Sequence, residues 1–507
     1  MTEQMWHITA FAIYFVAVLT VGFIFFFKSK GGGEKEYFLG GRSLGPWVTA
    51  LSAQASDMSA WLLMGLPGSI LAFGFGEVWI GIGLALGTAA NWIFVAKRLR
   101  RFSKAAGDSI TLPQYLSNRF GGGKTVLQTV CAIIFLVCFT VYVASAFVAG
   151  TDVFVTVFPA LDKSVAMIIF AAIILIYTFM GGFKAVCWTD FFQGFLMLAA
   201  VLAVPILAGL SGQANPEFLK ETYTYIDANK AEVACAFVGT PFEASWQDIA
   251  SGLAWGLGYF GMPHILVRFM SIRKAKEVNT AATVAIIWVV LALAAVTVMA
   301  ILGRMIIGPE ILADGSQKMV FIALAKKYFH PLLAGLLMSA IIAASMSTAD
   351  SQLLVASSSF TSDIYKPIIR KGAKDMEVMW IGRAVVVIVA IVAFFIASSK
   401  GSGAQAIMNL VENAWAGFGS AFGPVVILSL FWKRFNYQGA LAGVIAGAVV
   451  DVAWLFGGLS ASTAIYELIP GFAAGLVAAV ITTLITKKPD GVTEAIFETA
   501  TNPELED

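Results

Sequence analysis

A carboxylate in an apolar stretch is the first feature of the sequence that could do chemistry. Asp57 lies in a stretch of membrane-spanning length, and a Gly-Leu-Pro-Gly helix breaker follows at residues 65–68. Its polar neighbours are Ser52, Gln54, Ser56 and Ser59. A carboxylate within the hydrocarbon of a membrane normally faces a cavity or a cation. At that depth the backbone leaves a helix only where protein or water can hydrogen-bond the freed N–H and C=O groups. The combination predicts a binding site near the bilayer midplane.

A second polar cluster lies at residues 345–352. Ser347 and Thr348 are adjacent hydroxyl residues beside Asp350, in an apolar stretch of similar length. Small hydroxyl residues can simply pack helices and bond back to the preceding turn, an explanation that suffices for residues 357–359. Monovalent cations take hydroxyl and carbonyl oxygens as ligands. If the segment 52–68 is unwound, its carbonyl oxygens and the hydroxyls of Ser347 and Thr348 could together form a sodium site.

Aromatic residues accompany a second glycine-rich interruption. Trp255 and Tyr259 are four residues apart, so a helix would project them from one face. On spacing alone core packing is the better explanation, but the intervening glycines would let a ligand approach the backbone. Tyr142, in a long apolar stretch, allows the same two interpretations. Trp61, four residues after Asp57, falls on the same helix face as that carboxylate.

Two further charged residues have two possible roles each. Asp190 follows Trp188-Thr189 near the end of an apolar stretch, where it could cap a helix or lie on an ion path. Arg42 follows Gly40-Gly41. It could set the membrane topology, or it could be a gate residue that pairs with an acid.

The composition predicts an all-α polytopic membrane protein. The 507 residues are 59% hydrophobic and 13% charged, whereas soluble domains carry roughly a quarter charged residues. The net charge of +2 gives no indication of nucleic acid binding. Nucleotide-binding and metalloprotease motifs are absent from the sequence, and the three histidines suggest neither a metal site nor a catalytic pair. We therefore expect no enzyme activity, no organic cofactor and no obligate protein partner.

Stretches of about 20 apolar residues predict thirteen membrane spans. Their bounds are 7–27, 46–73, 77–97, 125–158, 164–181, 187–210, 247–266, 280–303, 331–363, 379–398, 404–431, 438–457 and 464–486. With the N-terminus outside, most of the 33 lysine and arginine residues fall on the inner side. The C-terminus is then cytoplasmic.

The second and seventh predicted spans are both interrupted by glycine and proline. They are five spans apart, so they cross the membrane in opposite directions. Interrupted helices at matching places of two such units are typical of inverted-repeat transporters. The predicted regions are a peripheral helix and inner loop (1–45), two five-helix repeats (46–210 and 247–431) separated by an outer loop (211–246), two peripheral helices (432–488) and a disordered cytoplasmic tail (489–507).

Several strings resemble the solute:sodium symporter family. They are Gly40–Pro46 followed by Ala50–Ser59, Gly181-Gly182, Trp188–Asp190 and Met346–Gln352. Residues 255–264 and 414–424 look like those of its proline-transporting members, and the resemblance extends from about residue 10 to 486. It implies a leucine-transporter-like 5+5 inverted repeat in a bacterial cytoplasmic (inner) membrane, and sodium-coupled uptake of L-proline by alternating access.

The resemblance also implies roles for individual residues. Sodium would be held by carbonyls of Ala55, Met58 and Ala344 and by the hydroxyls of Ser347 and Thr348. Asp57 would serve sodium binding and coupling. Proline would lie near Ser59, Ala60, Trp61, Tyr142, Trp255, Tyr259 and Pro263. Ala60 is a departure, since the proline carriers place glycine there, and one methyl group could trim the pocket at a cost of about 1 kcal/mol.

Three alternatives remain open at this point. The solute could be another amino acid, a vitamin, a sugar or a sialic acid. The coupling ion could be a proton carried by Asp57 or Asp190. The third alternative is a sodium channel or a membrane-embedded enzyme, although the missing nucleophile–base pair disfavours the enzyme.

Overall fold

The computed structural model describes residues 2–28, 33–226, 232–399 and 404–502. Within these ranges the chain is almost entirely helical. The helices are α1 (Glu3–Lys28), α2 (Glu34–Leu39), α3 (Pro46–Asp57), α4 (Leu66–Phe73), α5 (Val78–Ala90), α6 (Lys97–Ala105), α7 (Leu112–Arg119), α8 (Thr125–Val157), α9 (Lys163–Leu210), α10 (Trp246–Ala254), α11 (Pro263–Ser271), α12 (Val278–Ala313), α13 (Val320–Tyr328), α14 (Pro331–Phe360), α15 (Asp375–Ser399), α16 (Ala404–Phe431), α17 (Tyr437–Phe456), α18 (Leu459–Thr463), α19 (Leu468–Ile485) and α20 (Gly491–Thr501).

The predicted all-α polytopic architecture is confirmed, but the number of thirteen spans is not. Ten helices of the described chain are long and apolar enough to cross a membrane, and Trp61–Phe73 and Lys163–Phe179 are shorter apolar helices. The predicted span at 247–266 consists of short segments, which explains why it does not qualify by length. Bounds of the ten are Glu3–Phe25, Phe75–Ala105, Thr125–Val157, Gly182–Leu210, Ala275–Ala313, Pro331–Ile369, Asp375–Ser399, Ile407–Phe431, Tyr437–Phe456 and Leu468–Ile485.

The predicted fifth and sixth spans join without a loop in α9. The join is at Gly182, whose backbone adopts φ +66° and ψ 172° inside the helix. Glycine reaches positive φ without steric cost. A Cβ atom at this position would also lie 3.0 Å from the ring of Tyr37. The close approach to Tyr37 and the unusual backbone angles both favour glycine here.

Two helices are interrupted at the predicted places. The first runs along α3 to Asp57, leaves helical geometry at Met58 (φ −80°, ψ 51°) and resumes through a wide turn at Trp61–Gly65 into α4. The second runs along α10, tightens into a 3-10 turn at Trp255–Phe260 and resumes in α11. Pro263 is at the start of α11, where proline's missing N–H costs no helical hydrogen bond.

Helices of the two halves pack around these interruptions. Helix α14 contacts α3, α8 and α9, and α16 contacts both the Trp255–Phe260 turn and α19. The turn approaches α16 closely, since a Cβ atom on Gly258 would lie 2.0 Å from Nε1 of Trp415. The C-terminal pair α17 and α19 therefore adjoins the second interruption through α16.

The predicted outer loop and the tail predicted to be disordered both contain regular structure. The loop 211–246 contains an antiparallel hairpin of β1 (Tyr223–Ile226) and β2 (Glu232–Cys235). The tail predicted to be disordered forms α20, which begins after the capping residue Asp490 and packs against α6. Phe497 provides the reason, because its ring meets that of Phe102 at 5.4 Å between centroids. Residues 503–507 of the tail lie outside the described chain.

Candidate functional site

The first interruption meets α14 where the sequence predicts a sodium site. The Ser347 hydroxyl, with its single proton, lies within hydrogen-bond distance of two carbonyl oxygens, those of Ala55 (2.8 Å) and Ala344 (3.2 Å). Beside it, the buried hydroxyl oxygen of Thr348 has no hydrogen-bond partner within the described chain. A buried polar group without a partner costs about 1–3 kcal/mol. Coordination of a cation by these oxygens would remove that cost, so the donor set fits sodium.

Asp57 connects the two interrupted helices. The Tyr259 hydroxyl donates to Asp57 Oδ2 at 2.6 Å, and both side chains are buried. Asp57 is the last residue of α3, so its carboxylate lies next to Met58, where the backbone leaves the helix. A negative charge at this point lies close to the carbonyls of the first interruption and is hydrogen-bonded to Tyr259 of the second interruption.

Four predicted aromatic residues border one small cavity. They are Trp61, Tyr142, Trp255 and Tyr259, and the rest of the lining is Asp57, Met58, Leu84, Val411 and Trp415. The cavity measures about 10 Å³, which is about the room that one water needs. The stacked rings of Trp61 and Trp255, with centroids 5.6 Å apart, close it on one side.

The remaining predicted solute-binding residues lie beside this cavity in the chain but outside its lining. Ser59 and Ala60 form the turn before Trp61, where the Ser59 hydroxyl accepts a hydrogen bond from the Trp61 backbone N–H at 3.2 Å. Pro263 begins α11. These three residues shape the two interruptions rather than line the space between them.

The sequence analysis missed Leu84, Val411 and Trp415 in the cavity lining. Trp415 also supports the second interruption, because its indole N–H donates to the Trp255 carbonyl at 2.8 Å. The Asn91 side chain does the same for the Tyr259 carbonyl at 3.0 Å. Backbone groups freed from a helix at membrane depth need such partners. Trp415 sits in the quoted string 414–424, but its contact with Trp255 required the three-dimensional structure.

A larger cavity of about 250 Å³, here called the vestibule, lies on the other side of Trp255. It is lined by Ser69, Phe73, Gly76, Glu77, Ile80, Asp248, Ser251, Gly252, Trp255, Met408 and Glu412. Among the described residues, Trp255 alone lines both cavities. Trp255 is therefore the shared wall, here called the partition, of the vestibule and the small cavity.

Asp190 is part of a buried ionic cluster centred on Arg268. The Arg268 guanidinium lies 2.9 Å from Asp190 Oδ2 and donates to the hydroxyls of Ser52 (2.8 Å) and Ser351 (2.6 Å). Ser52 itself donates to Asp190 Oδ2 at 2.7 Å. Asp190 lies within α9, so the helix-capping interpretation is wrong. Arg268 lies just beyond the predicted span 247–266, yet it is completely buried in α11.

A second carboxylate adjoins this cluster. Asp350 accepts a long hydrogen bond of 3.3 Å from Ser351, and its other oxygen, like Asp190 Oδ1, is buried without a partner in the described chain. One guanidinium thus faces two carboxylates. Burying an uncompensated charge is costly, so a further cation or a proton would offset the excess negative charge of this cluster.

Arg42 pairs with an acid, as its gate interpretation predicts. Its guanidinium contacts Asp108 at 2.7 Å and donates to the Ser103 hydroxyl (3.1 Å), the Ser109 carbonyl (2.8 Å) and the Met270 carbonyl. These partners lie in α6 (Ser103), on the α6–α7 connection (Asp108 and Ser109) and at the end of α11 (Met270). Arg42 therefore fastens the segment before α3 to the end of the second interrupted helix.

We expect this fastening to weaken in acid. Burial tends to raise the pKa of Asp108, but the hydrogen bond from Lys35 and the charge of Arg42 outweigh it and hold the pKa below its ordinary value of 3.8. The folded state thus favours the carboxylate, so its stabilisation is complete above pH 3.8 and is lost as the pH falls through the lowered value. The protection of residues 40–45 against amide hydrogen exchange, after correction for the intrinsic pH dependence of exchange, should fall over that pH range. In the Asp108→Asn variant, amide exchange at residues 40–45 should already be fast at neutral pH. Slow exchange in that variant would contradict the fastening role of the pair Arg42 and Asp108.

The chain is similar to known transporters over nearly its whole length. The High-affinity proline transporter PutP of Bacillus subtilis (strain 168) is 44% identical over 473 residues, or 93% of this chain and 96% of that protein. The Sodium/proline symporter of Haemophilus influenzae is 42% identical over 487 residues, covering 95% and 94%. A solved Na⁺-coupled sialic acid symporter in a substrate-bound outward-open state shares the fold, with a TM-score of 0.77, 19% identity and coverage of 96% and 98%.

The family assignment follows from the extent of these matches. The family described as Sodium:solute symporter family matches residues 37–447. That range includes both interrupted helices, the Ser347–Thr348 pair and Arg268. The expected leucine-transporter-like fold class is confirmed by the structural similarity. The chain belongs to the sodium:solute symporter family.

Proposed function

We propose that this protein is a secondary active transporter that couples inward sodium movement to L-proline uptake by alternating access. The observation that carries the proposal is the contact of Ser347 with the Ala55 carbonyl, beside the unpartnered hydroxyl of Thr348. These oxygen atoms are possible cation ligands, and they lie at a helix interruption that also borders the small aromatic cavity. The names of the similar proteins from Bacillus subtilis and Haemophilus influenzae support proline as the solute and sodium as the ion.

Sodium would bind between α14 and the first interruption. The proposed ligands are the carbonyls of Ala55, Met58 and Ala344 and the hydroxyls of Ser347 and Thr348. Binding would draw the unwound segment against α14 and fix the turn that carries Trp61. Asp57 would add a negative charge next to these oxygens and, through Tyr259, transmit the change to the second interruption.

Proline would occupy the aromatic cavity after Trp61 and Trp255 separate. Its ring would pack against Trp255 and Tyr259, since aromatic faces bury apolar surface well. The indole N–H of Trp61 is buried without a partner in the described chain, which makes it a donor for the solute carboxylate. Ser59, Ala60, Tyr142 and Pro263 would complete the proposed binding region. At the present separation of the rings the solute does not fit.

The driving force would come from the sodium gradient and the membrane potential. Each positive charge that moves inward contributes about 2.3 kcal/mol per 100 mV. In the proposed orientation the N-terminus is outside, the C-terminus is cytoplasmic, the vestibule faces outwards and Arg42 fastens the inner side. The proposed membrane is the cytoplasmic (inner) membrane of a bacterium. The bounds of the six regions predicted from the sequence remain our proposed division of the chain, with α20 in the last region in place of a disordered tail.

Removing the Thr348 hydroxyl should selectively weaken sodium binding. Thr348→Val keeps the shape but removes one proposed ligand, so we expect the sodium concentration for half-maximal uptake to rise about tenfold, as the loss of one interaction of about 1–1.5 kcal/mol would produce. Sodium titration of proline uptake in proteoliposomes measures this. Ser345→Ala is the matched control, since its hydroxyl bonds to Ile341 of its own helix at 2.9 Å. Equal effects of the two substitutions would refute the ligand role of Thr348.

Proton coupling is the second candidate function. The buried, unpartnered oxygens of Asp190 and Asp350 favour it, because a proton would neutralise the excess charge beside Arg268. Sodium titration at fixed pH separates the two candidates. Uptake that responds to a pH gradient and not to sodium would favour the proton.

A further inference from the structure

Tyr466 connects the C-terminal peripheral helices to the cavity partition. It lies in the short connection between α18 and α19, outside both proposed five-helix repeats. Its ring stacks on that of Trp255, with centroids 5.4 Å apart and an interplanar angle of 27°. Only 4% of Tyr466 is exposed. A peripheral segment thus contacts the one described residue that lines both the vestibule and the small cavity.

Hydrogen bonds fix Tyr466 to the two walls of the vestibule. Its hydroxyl donates to the Glu412 carbonyl on α16 at 2.8 Å. Its backbone N–H donates to the Ser251 hydroxyl on α10 at 3.1 Å. Glu412 and Ser251 both line the vestibule. Tyr466 therefore joins α10, α16 and the connection before α19 at the place where the vestibule ends.

Trp255 has parallel aromatic neighbours that belong to different parts of the chain. Trp61, from the first interruption, lies 5.6 Å away at 28°, and Trp415, from α16, lies 6.2 Å away at 29°. The Trp255 carbonyl also accepts a hydrogen bond from Trp415. Tyr466 and Trp415 thus hold Trp255 on the α16 side, whereas the contact with Trp61 is a ring stack alone between the described side chains. Trp255 thus has two aromatic partners held by α16, Trp415 and Tyr466, and one, Trp61, on the first interruption.

We propose that Tyr466 is a positioning residue of the gate on the vestibule side, which holds the Trp255 indole in place while the gate opens between Trp61 and Trp255. The inference rests on the proposed transport function. Without Tyr466 the indole would lose one stacked face and an anchor to both vestibule walls. It would then shield the small cavity less completely and present a less defined surface to the solute.

Thiol labelling tests this role without any solute. Val411 lines the small cavity and is 2% exposed, so Val411→Cys in a background without the native cysteines reports access from the vestibule. A membrane-impermeant maleimide is added on the vestibule side of the membrane. Tyr466→Ala should then raise the labelling rate of the cysteine at position 411 about tenfold, as the loss of an aromatic pair of about 1.4 kcal/mol would allow. Tyr466→Phe keeps the stack and should restore most of the protection.

Tyr437→Ala is the matched control. It removes a tyrosine from the same peripheral helices at the other end of α17, where the ring faces Lys124. Labelling that does not change in Tyr466→Ala, or that rises equally in Tyr437→Ala, would overturn the proposal. So would a Tyr466→Phe variant as accessible as Tyr466→Ala.

Uptake kinetics provide the second measurement. Tyr466→Ala should raise the KM for proline about tenfold and change the maximal rate less, because the pocket wall is displaced while the sodium site is intact. A KM for proline equal to that of the parent protein would overturn the proposal that Tyr466 affects solute binding. If the parent protein transports no proline, the proposed function fails, whereas the labelling difference still decides the role of Tyr466.

Discussion

Asp57→Asn should raise the sodium concentration for half-maximal uptake by at least about 30-fold while leaving the fold intact. A unit charge about 4–8 Å from the ion contributes about 2–4 kcal/mol at an effective dielectric constant of about 20. The amide keeps an oxygen that can accept the hydrogen bond from Tyr259, so the connection between the two interruptions persists. Sodium titration of proline uptake in proteoliposomes, with thermal stability in detergent measured in parallel, checks both expectations.

Asp451→Asn is the control for removing a buried carboxylate. Asp451 is 3% exposed on α17 and accepts a hydrogen bond of 3.1 Å from Ser420. Asp451 lies in the peripheral helix pair, distant from the proposed ion. The sodium concentration for half-maximal uptake in Asp451→Asn should therefore stay within about twofold of that of the parent protein. Unchanged sodium dependence in Asp57→Asn would remove Asp57 from the cation site.

Arg268→Ala should have the largest effect on stability. It leaves Asp190 and Asp350 buried without their cation, and breaking a buried ion pair in this way costs about 3–5 kcal/mol. We expect the temperature at which half the protein remains monodisperse in gel filtration to fall sharply. Arg273→Ala is the matched control, because this arginine is exposed and pairs at 2.7 Å with the partly buried Glu277 at the protein surface. Exposed pairs contribute about 0–1 kcal/mol.

A double substitution separates the structural role of the cluster from a transport role. Arg268→Met with Asp190→Leu removes both partners, and apolar replacements of a buried pair are often neutral for stability. The double variant should recover much of the lost stability. If it is as unstable as Arg268→Ala, the two side chains do not act as a pair. If it is stable and transports normally, the cluster serves the fold alone.

The two interruptions could be predicted because they leave strong local signals. Asp57 is a charge in an apolar stretch, and residues 65–68 and 255–263 concentrate glycine and proline. Ser347 and Thr348 were found because adjacent hydroxyls beside Asp350 are unusual at membrane depth. These patterns depend on neighbours in the chain, which the sequence displays directly.

The residues that were missed act through contacts distant in sequence. Arg268 looks like a loop charge until α11 buries it against Asp190, 78 positions earlier in the chain. Trp415 and Tyr466 look like ordinary apolar residues of late helices, and their stacking on Trp255 depends on how α16 and α19 pack. Helix α20 was missed because its acidic composition is typical of disorder, whereas Phe497 finds a partner in Phe102.

Sodium-dependent uptake of labelled L-proline is the most direct test of the central claim. The purified protein would be reconstituted in liposomes and assayed with an inward sodium gradient, with equal sodium on both sides, and with an inward potassium gradient instead. The account predicts accumulation above equilibrium only with the sodium gradient, and its loss in Asp57→Asn. Accumulation driven equally by potassium would contradict the sodium site. The absence of proline uptake from protein that is folded and monodisperse would contradict proline as the solute.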